Sequence, residues 1–207
     1  MNDLLIEQLT SDLKPVKPLR NVGLWQHCTM CLLIAIALIL SILGIRPDWR
    51  EAIQGGALLW KPAIFLLIWA ASLFVVTDLS RPSGKVKILH LSPFLVAAAI
   101  LLWRLISQEI DFNSLHSNTA YYCLSIIALG GAMAMTAAWF FWIKKTASPR
   151  PAILGALAGV NAGSLVAVAY ALHCNQDSVL YLAAYYLVPL LILALTGAVL
   201  GKKMLNW

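Results

Sequence analysis

The chain has 207 residues, 61% of them hydrophobic and 12% charged, with a formal net charge of +6 and a mean hydropathy of +0.81. A soluble domain carries about a quarter charged and about half apolar residues, so a water-soluble globular fold is excluded. Stretches such as LLIAIALILSILGI show no period-two alternation, which argues against a transmembrane barrel. The expected fold class is an all-α integral membrane protein with six transmembrane helices, both termini cytoplasmic and a short N-terminal amphipathic helix.

The chain opens with MNDLLIEQLTSDLKPVKPLRN. Leu5, Leu9 and Leu13 recur at intervals of four and Ile6 stands three before Leu9, which makes one apolar stripe on a short helix. Asn2 or Asp3 can cap its start, and Pro15 should stop it at or before Lys14. Asp3, Glu7 and Asp12 give its polar side an acidic character, with no basic residue before Lys14. A helix lying on anionic lipid prefers Lys and Arg. An acidic one suits a groove on a basic protein partner, folding as it binds.

Crossing about 30 Å of hydrocarbon takes roughly 20 apolar residues. Six such spans are expected, over 24–45, 57–77, 88–107, 119–143, 152–172 and 179–200. This divides the chain into a cytoplasmic segment of residues 1–23 and a transmembrane domain of residues 24–207. Residues 1–20 lack a central apolar stretch, so the first span is expected to serve as the targeting signal. Pro93 and Pro189 are expected to kink their spans. Gly155, Gly159 and Gly163, then Gly197 and Gly201, repeat at intervals of four and line helix faces that admit a close neighbour, most simply within the same chain. The sequence does not set an oligomeric state.

Eleven of the 15 basic residues fall on the side of the two termini. By the positive-inside rule that side is cytoplasmic. The net charge then reflects topology, and no direct nucleic-acid contact is read from it. Lys61 and Arg104 follow Trp60 and Trp103 near span ends, where both are expected to snorkel to the interface. Asn161 is the one deeply placed amide and is expected to make an interhelical hydrogen bond. Charges and broken helices near the midplane are too few for a transporter.

Four cysteines complete the inventory. Cys28 and Cys31 belong to the cytoplasmic end of the first span, where thiols stay reduced and small apolar packing is expected. Cys123 opens the fourth span and Cys174 sits in the last connection on the other side, so a bilayer separates the two sets and no single four-ligand site can form. In an oxidising compartment two thiols at one depth tend to be paired or reactive. Cys123 and Cys174 are therefore expected to share a role. They could form a disulfide, or capture a soft metal with help from His173 or His116. No catalytic group and no cofactor is expected.

The acidic start running into DLKPVKPL, the six spans and the closing YALHCNQDSVLYLAAYYLVPLLILALTGAVLGKKMLNW resemble the NrsF-type membrane anti-sigma factors of proteobacteria. The resemblance covers the whole chain and is most specific in DLKPV, in the ALHC…D loop and in the GAVLGKKMLNW ending. It implies a non-enzymatic, multi-pass protein of the bacterial inner membrane that holds an extracytoplasmic-function sigma factor and releases it on stress. Asp12, Leu13, Pro15 and Val16 match the family's amino-terminal motif, which joins them to Leu5, Ile6 and Leu9 as partner-binding residues. Cys123 and Cys174 match its pair of outer-side cysteines, and HCTMC lies outside its pattern. With the resemblance, Cys123 and Cys174 become the candidate signal-sensing residues: oxidation or metal binding there would repack the glycine-lined fifth and sixth spans and release the sigma factor. A membrane thiol oxidoreductase and a non-catalytic assembly subunit are the alternatives.

Overall fold

The computed structural model describes residues 21–108 and 112–205. The expected N-terminal helix, with Leu5, Ile6, Leu9, Asp12, Leu13, Pro15 and Val16, lies outside the described residues. Six helices are long and apolar enough to cross a membrane. These are α1 (Asn21–Ile42), α2 (Ala57–Leu79), α3 (Ile88–Ser107), α4 (Ala120–Phe141), α5 (Pro151–Ala171) and α6 (Val188–Met204). A short helical piece, Val179–Leu182, and a π turn, Ala183–Leu187, extend α6 at its start.

The observed helices follow the expected spans closely: the sixth runs four residues further, to Met204, and α1 begins and ends three residues early. Gly44 there takes a φ of +78°, the left-handed region open to glycine, and Pro47 follows. Pro93 lies inside α3 without interrupting it. Pro189 acts differently: lacking an N–H, it cannot donate to the carbonyl four residues back, and the backbone before it widens into the π turn. That turn carries Tyr186 into the interior, where it is fully buried, and leaves Tyr185 half-buried with its hydroxyl donating to the Leu115 carbonyl at 2.7 Å.

Helix α5 is the centre of the bundle and packs on α1, α2, α4 and α6. Its small residues explain the position. A Cβ on Gly155 would strike the Gly197 carbonyl, one on Gly159 the Leu193 carbonyl, and one on Gly201 the Pro151 carbonyl. The glycine faces thus serve intramolecular backbone contact between α5 and α6, as expected. Helices α1 and α3 are peripheral, with most of their apolar surface facing outward. Six crossings return the chain to its starting end, so Cys28 and Cys31 lie toward one end of the bundle and Cys123 and Cys174 toward the other.

Asn161 ties the middle together as expected. Its Nδ2 donates to the Trp69 carbonyl at 2.9 Å and to Ser72 Oγ at 3.0 Å, joining α5 to α2. Its Oδ1 accepts from the Cys28 thiol at 3.7 Å. Cys28 is buried, Cys31 half-buried, and both line a small apolar cavity of about 70 Å³ with Leu24, Leu73 and Ala162.

A candidate thiol switch at one end of the bundle

The connection of residues 172–178, between α5 and Val179–Leu182, is built around charges that hydropathy alone would leave at the surface. Arg46 is only 1% exposed. Its Nε donates to Asp48 Oδ1 at 2.8 Å and its Nη2 to Asp48 Oδ2 at 2.7 Å, a two-point clasp two residues away in sequence. The same guanidinium reaches Asp177 through Nη1 at 3.0 Å and Nη2 at 2.7 Å, and Nη2 also donates to the Asn175 carbonyl at 3.4 Å. A planar fork with five donors suits this double carboxylate grip. The Arg46 hydrogen bonds hold the Asp48 carboxyl below its ordinary range.

Lys61 departs from expectation. It does not snorkel to the interface but is fully buried, with Nζ donating to the Gln176 carbonyl at 2.6 Å and the Cys174 carbonyl at 3.0 Å. Asp177 Oδ1 lies 3.5 Å away and the Tyr186 ring 5.3 Å away. Two backbone acceptors, a carboxylate and an aromatic face replace water around the ammonium, which is what makes burial tolerable. Arg104 stays half-buried, over the Trp60 ring at 4.7 Å.

His173 fastens the same connection to the end of α1. Its Nδ1 lies 3.0 Å from the Gly44 carbonyl, and a carbonyl only accepts, so Nδ1 carries the proton. The Arg46 amide adds a backbone bond to the Leu172 carbonyl at 3.3 Å. The segment bearing Cys174 is therefore pinned to the α1 terminus and to the first turns of α2.

Against this pinned loop the two thiols meet. Cys123 Sγ and Cys174 Sγ are 3.7 Å apart, with the two residues 0% and 4% exposed. Cys123 Sγ is 2.9 Å from the Tyr181 hydroxyl, which in turn is 3.1 Å from Thr119 Oγ1. Tyr186 stacks on Phe65 with ring centroids 5.0 Å apart and tilts against Tyr170 at 6.2 Å, closing the cluster from the bundle interior. The Cys123 hydrogen bond, reinforced by the Lys61 charge, holds the Cys174 thiol below its usual range in spite of burial.

Cys123 and Cys174 are brought together as the sequence suggested. The two histidines considered beside them are not placed to complete a ligand set. His173 donates through Nδ1 to the Gly44 carbonyl, and His116 is exposed on a cleft with Tyr121 and Tyr185. Among the described residues no group of three or more His, Cys, Asp or Glu side chains is positioned to hold a metal ion. Sequence reasoning missed Lys61, Arg46 and Asp177 as members of the site. The available signal was the scarcity of basic residues on that side: its connections hold Arg46 and Arg50, with Asp48 and Asp177 among the carboxylates available to pair with them.

Comparison with known proteins identifies the family of the chain. Residues 9–207 match the family described as "NrsF: Negative regulator of sigma F". The chain is 33% identical over 178 residues to the "Probable anti-sigma-F factor NrsF" of Azospira oryzae, covering 84% of this chain and 83% of that one. It is 30% identical over 181 residues to the "Anti-sigma-F factor NrsF" of Caulobacter vibrioides, with the same two coverages of 84% and 83%. No solved structure matches the chain. With nearly its whole length matched, the chain belongs to the NrsF family of negative regulators of sigma F.

Proposed function

We propose that this protein is a membrane-bound anti-sigma factor of the bacterial inner membrane. Residues 1–23 lie on the cytoplasmic side and sequester a sigma factor of the extracytoplasmic-function class. Residues 24–207 form the transmembrane domain that answers a signal on the opposite side. The observation that carries this reading is the match of residues 9–207 to a family of negative regulators of sigma F. Six apolar helices and the skewed distribution of basic residues support the orientation. The acidic, apolar-striped start supports a protein groove as its target, with Leu5, Ile6, Leu9, Asp12, Leu13, Pro15 and Val16 making the contacts.

The signal is oxidation of Cys123 and Cys174. Two thiols at 3.7 Å need only a small approach to reach the roughly 2 Å of a disulfide. In that step each sulfur gives up its proton and an S–S bond forms. The two electrons and two protons pass to a hydroperoxide, which leaves as an alcohol and water. Bond formation draws the 172–178 connection toward α4. That connection is tied to the end of α1 by Arg46 and His173, and α1 leads at its other end to the partner-binding segment. The α5–α6 glycine contact gives a second path for the same displacement. A disulfide is worth about 2–4 kcal/mol, enough to shift a balanced two-state packing substantially.

The test is affinity capture of the full-length protein from its native membrane, beside a variant lacking residues 1–13. A sigma factor bound to the first and lost from the second is the expected result. Capture by neither, with the sigma factor expressed, would overturn the reading.

A further inference from the structure

The proposed function leaves the two cysteines equivalent, and the structure does not treat them alike. Cys174 lies in a connection, with a buried ammonium on its own carbonyl: Lys61 Nζ reaches Cys174 O at 3.0 Å and the next carbonyl but one, Gln176 O, at 2.6 Å. Cys123 lies in the first turn of α4, fully buried, and its polar partners are the Tyr181 hydroxyl and the other thiol. Arg46 is already taken by Asp48 and Asp177. That leaves Lys61 as the cation closest in bonding to the thiol pair.

A row of hydrogen-bonding groups runs Thr119, Tyr181, Cys123, Cys174. Each of its members can donate or accept, so a neighbouring charge decides the direction. A cation at the Cys174 end favours negative charge on the last sulfur, and every O–H and S–H of the row then donates toward that thiolate.

We propose that Cys174 is the sulfur that meets the oxidant and Cys123 the one that resolves it, and that Lys61 is the positioning residue that sets this order. This deepens the thiol reading above and rests on it. The Cys174 thiolate attacks one oxygen of a hydroperoxide and the O–O bond breaks. Cys174 becomes a sulfenic acid, and the departing alkoxide takes a proton. Cys123 sulfur then attacks the Cys174 sulfur, an S–S bond forms, and the hydroxyl leaves as water with the Cys123 proton. Two electrons have moved from two thiols to the peroxide. The electrostatic support of a cation beside the reactive thiol is the usual route to such selectivity.

The experiment uses full-length protein in native membranes, treated with hydrogen peroxide and trapped with dimedone, with labelled peptides identified by mass spectrometry. The readout is the labelling of the cysteines themselves, so the result does not depend on the anti-sigma reading. Cys123→Ser keeps a hydroxyl donor and should leave a strongly labelled Cys174. Cys174→Ser should leave Cys123 labelled about tenfold less or not at all.

The role of Lys61 is then tested in the Cys123→Ser background. Lys61→Gln keeps a donor for the two carbonyls but no charge, and Lys61→Arg keeps both. Labelling of Cys174 should fall about tenfold in the first and return in the second. Helical circular dichroism and a monodisperse elution profile show that each variant is folded. Equal labelling of the two cysteines, faster labelling of Cys123, or no labelling of either would overturn the order of attack. Lys61→Gln labelling at the unsubstituted rate, or a loss that Lys61→Arg does not restore, would overturn the role of Lys61.

Discussion

Cys28 with Cys31 and Cys123 with Cys174 are two thiol pairs at opposite ends of one bundle, and their surroundings divide them. Near Cys28 the neighbours are apolar side chains, a small cavity and one amide, Asn161, 3.7 Å from its sulfur. Around Cys174 stand a buried lysine, an arginine holding two carboxylates, and a row of hydroxyls. The first is an arrangement for packing, where a thiol behaves as a small hydrophobe. The second places charge beside sulfur, the condition under which a thiol reacts. Residue type alone does not separate the pairs; what lies within hydrogen-bond reach does.

The comparison is broken most decisively by exchanging the roles of the pairs. Cys174→Ser should abolish peroxide-driven release of the captured sigma factor, a complete loss. Cys28→Ala with Cys31→Ala should leave release intact. Release measured by co-elution from membranes before and after oxidant checks both, and retention of release in Cys174→Ser would remove the thiols from the mechanism.

The charged clasp is the next largest effect. Arg46→Met leaves Asp48 and Asp177 facing each other without their shared cation and unfastens the loop from α1. The two carboxylates left behind are 34% and 26% exposed, so solvent relieves part of the cost of losing a buried partner. A lowered thermal midpoint in detergent is the expected readout, and peroxide-induced cross-linking of Cys123 to Cys174 should slow as the loop loosens. A midpoint equal to that of the unsubstituted protein would show that the clasp holds nothing.

At the other thiol pair the corresponding change is milder. Asn161→Ala removes two hydrogen bonds from α5 to α2 and leaves the Trp69 carbonyl without that donor, for a loss of about 1–2 kcal/mol. It should not alter cross-linking at Cys123 and Cys174. An effect there as large as that of Arg46→Met would mean that the two ends are coupled through α5, not through α1.

The spans were legible in the sequence because hydropathy and helix length are local properties. Uninterrupted apolar stretches fix where α2 to α5 begin and end to within two residues. The early end of α1 turns on Gly44, whose positive φ is a conformational fact that composition does not display. The meeting of Cys123 and Cys174 was legible from topology, since both fall on one side at one depth. Lys61 and Arg46 were not. A basic residue near a span end is ordinarily solvated by the interface, and only the tertiary fold brings Asp177 and two loop carbonyls, over a hundred residues away, to take the place of water. Buried charge is decided by partners, and partners are long-range.

The smallest effect tests whether the clasp is electrostatic at all. Asp48 has its carboxyl held below the ordinary range, first by its hydrogen bonds from Arg46, and it is partly exposed. A group whose folded value is depressed contributes stability that is fully present above its unfolded value, about 3.9 for aspartate, and that is lost as the pH falls through the folded value. The contribution of Asp48 should therefore be constant from neutral pH down to about 4 and decline below it. Solvent at the exposed carboxylate screens the pair, so the change is modest. Asp48→Asn removes the titration. At neutral pH its thermal midpoint should lie slightly below that of the unsubstituted protein, and the gap should close as the pH drops under the aspartate range. A gap that persists unchanged in acid would mean that Asp48 shapes the loop by geometry alone and that Arg46 draws its electrostatic hold from Asp177.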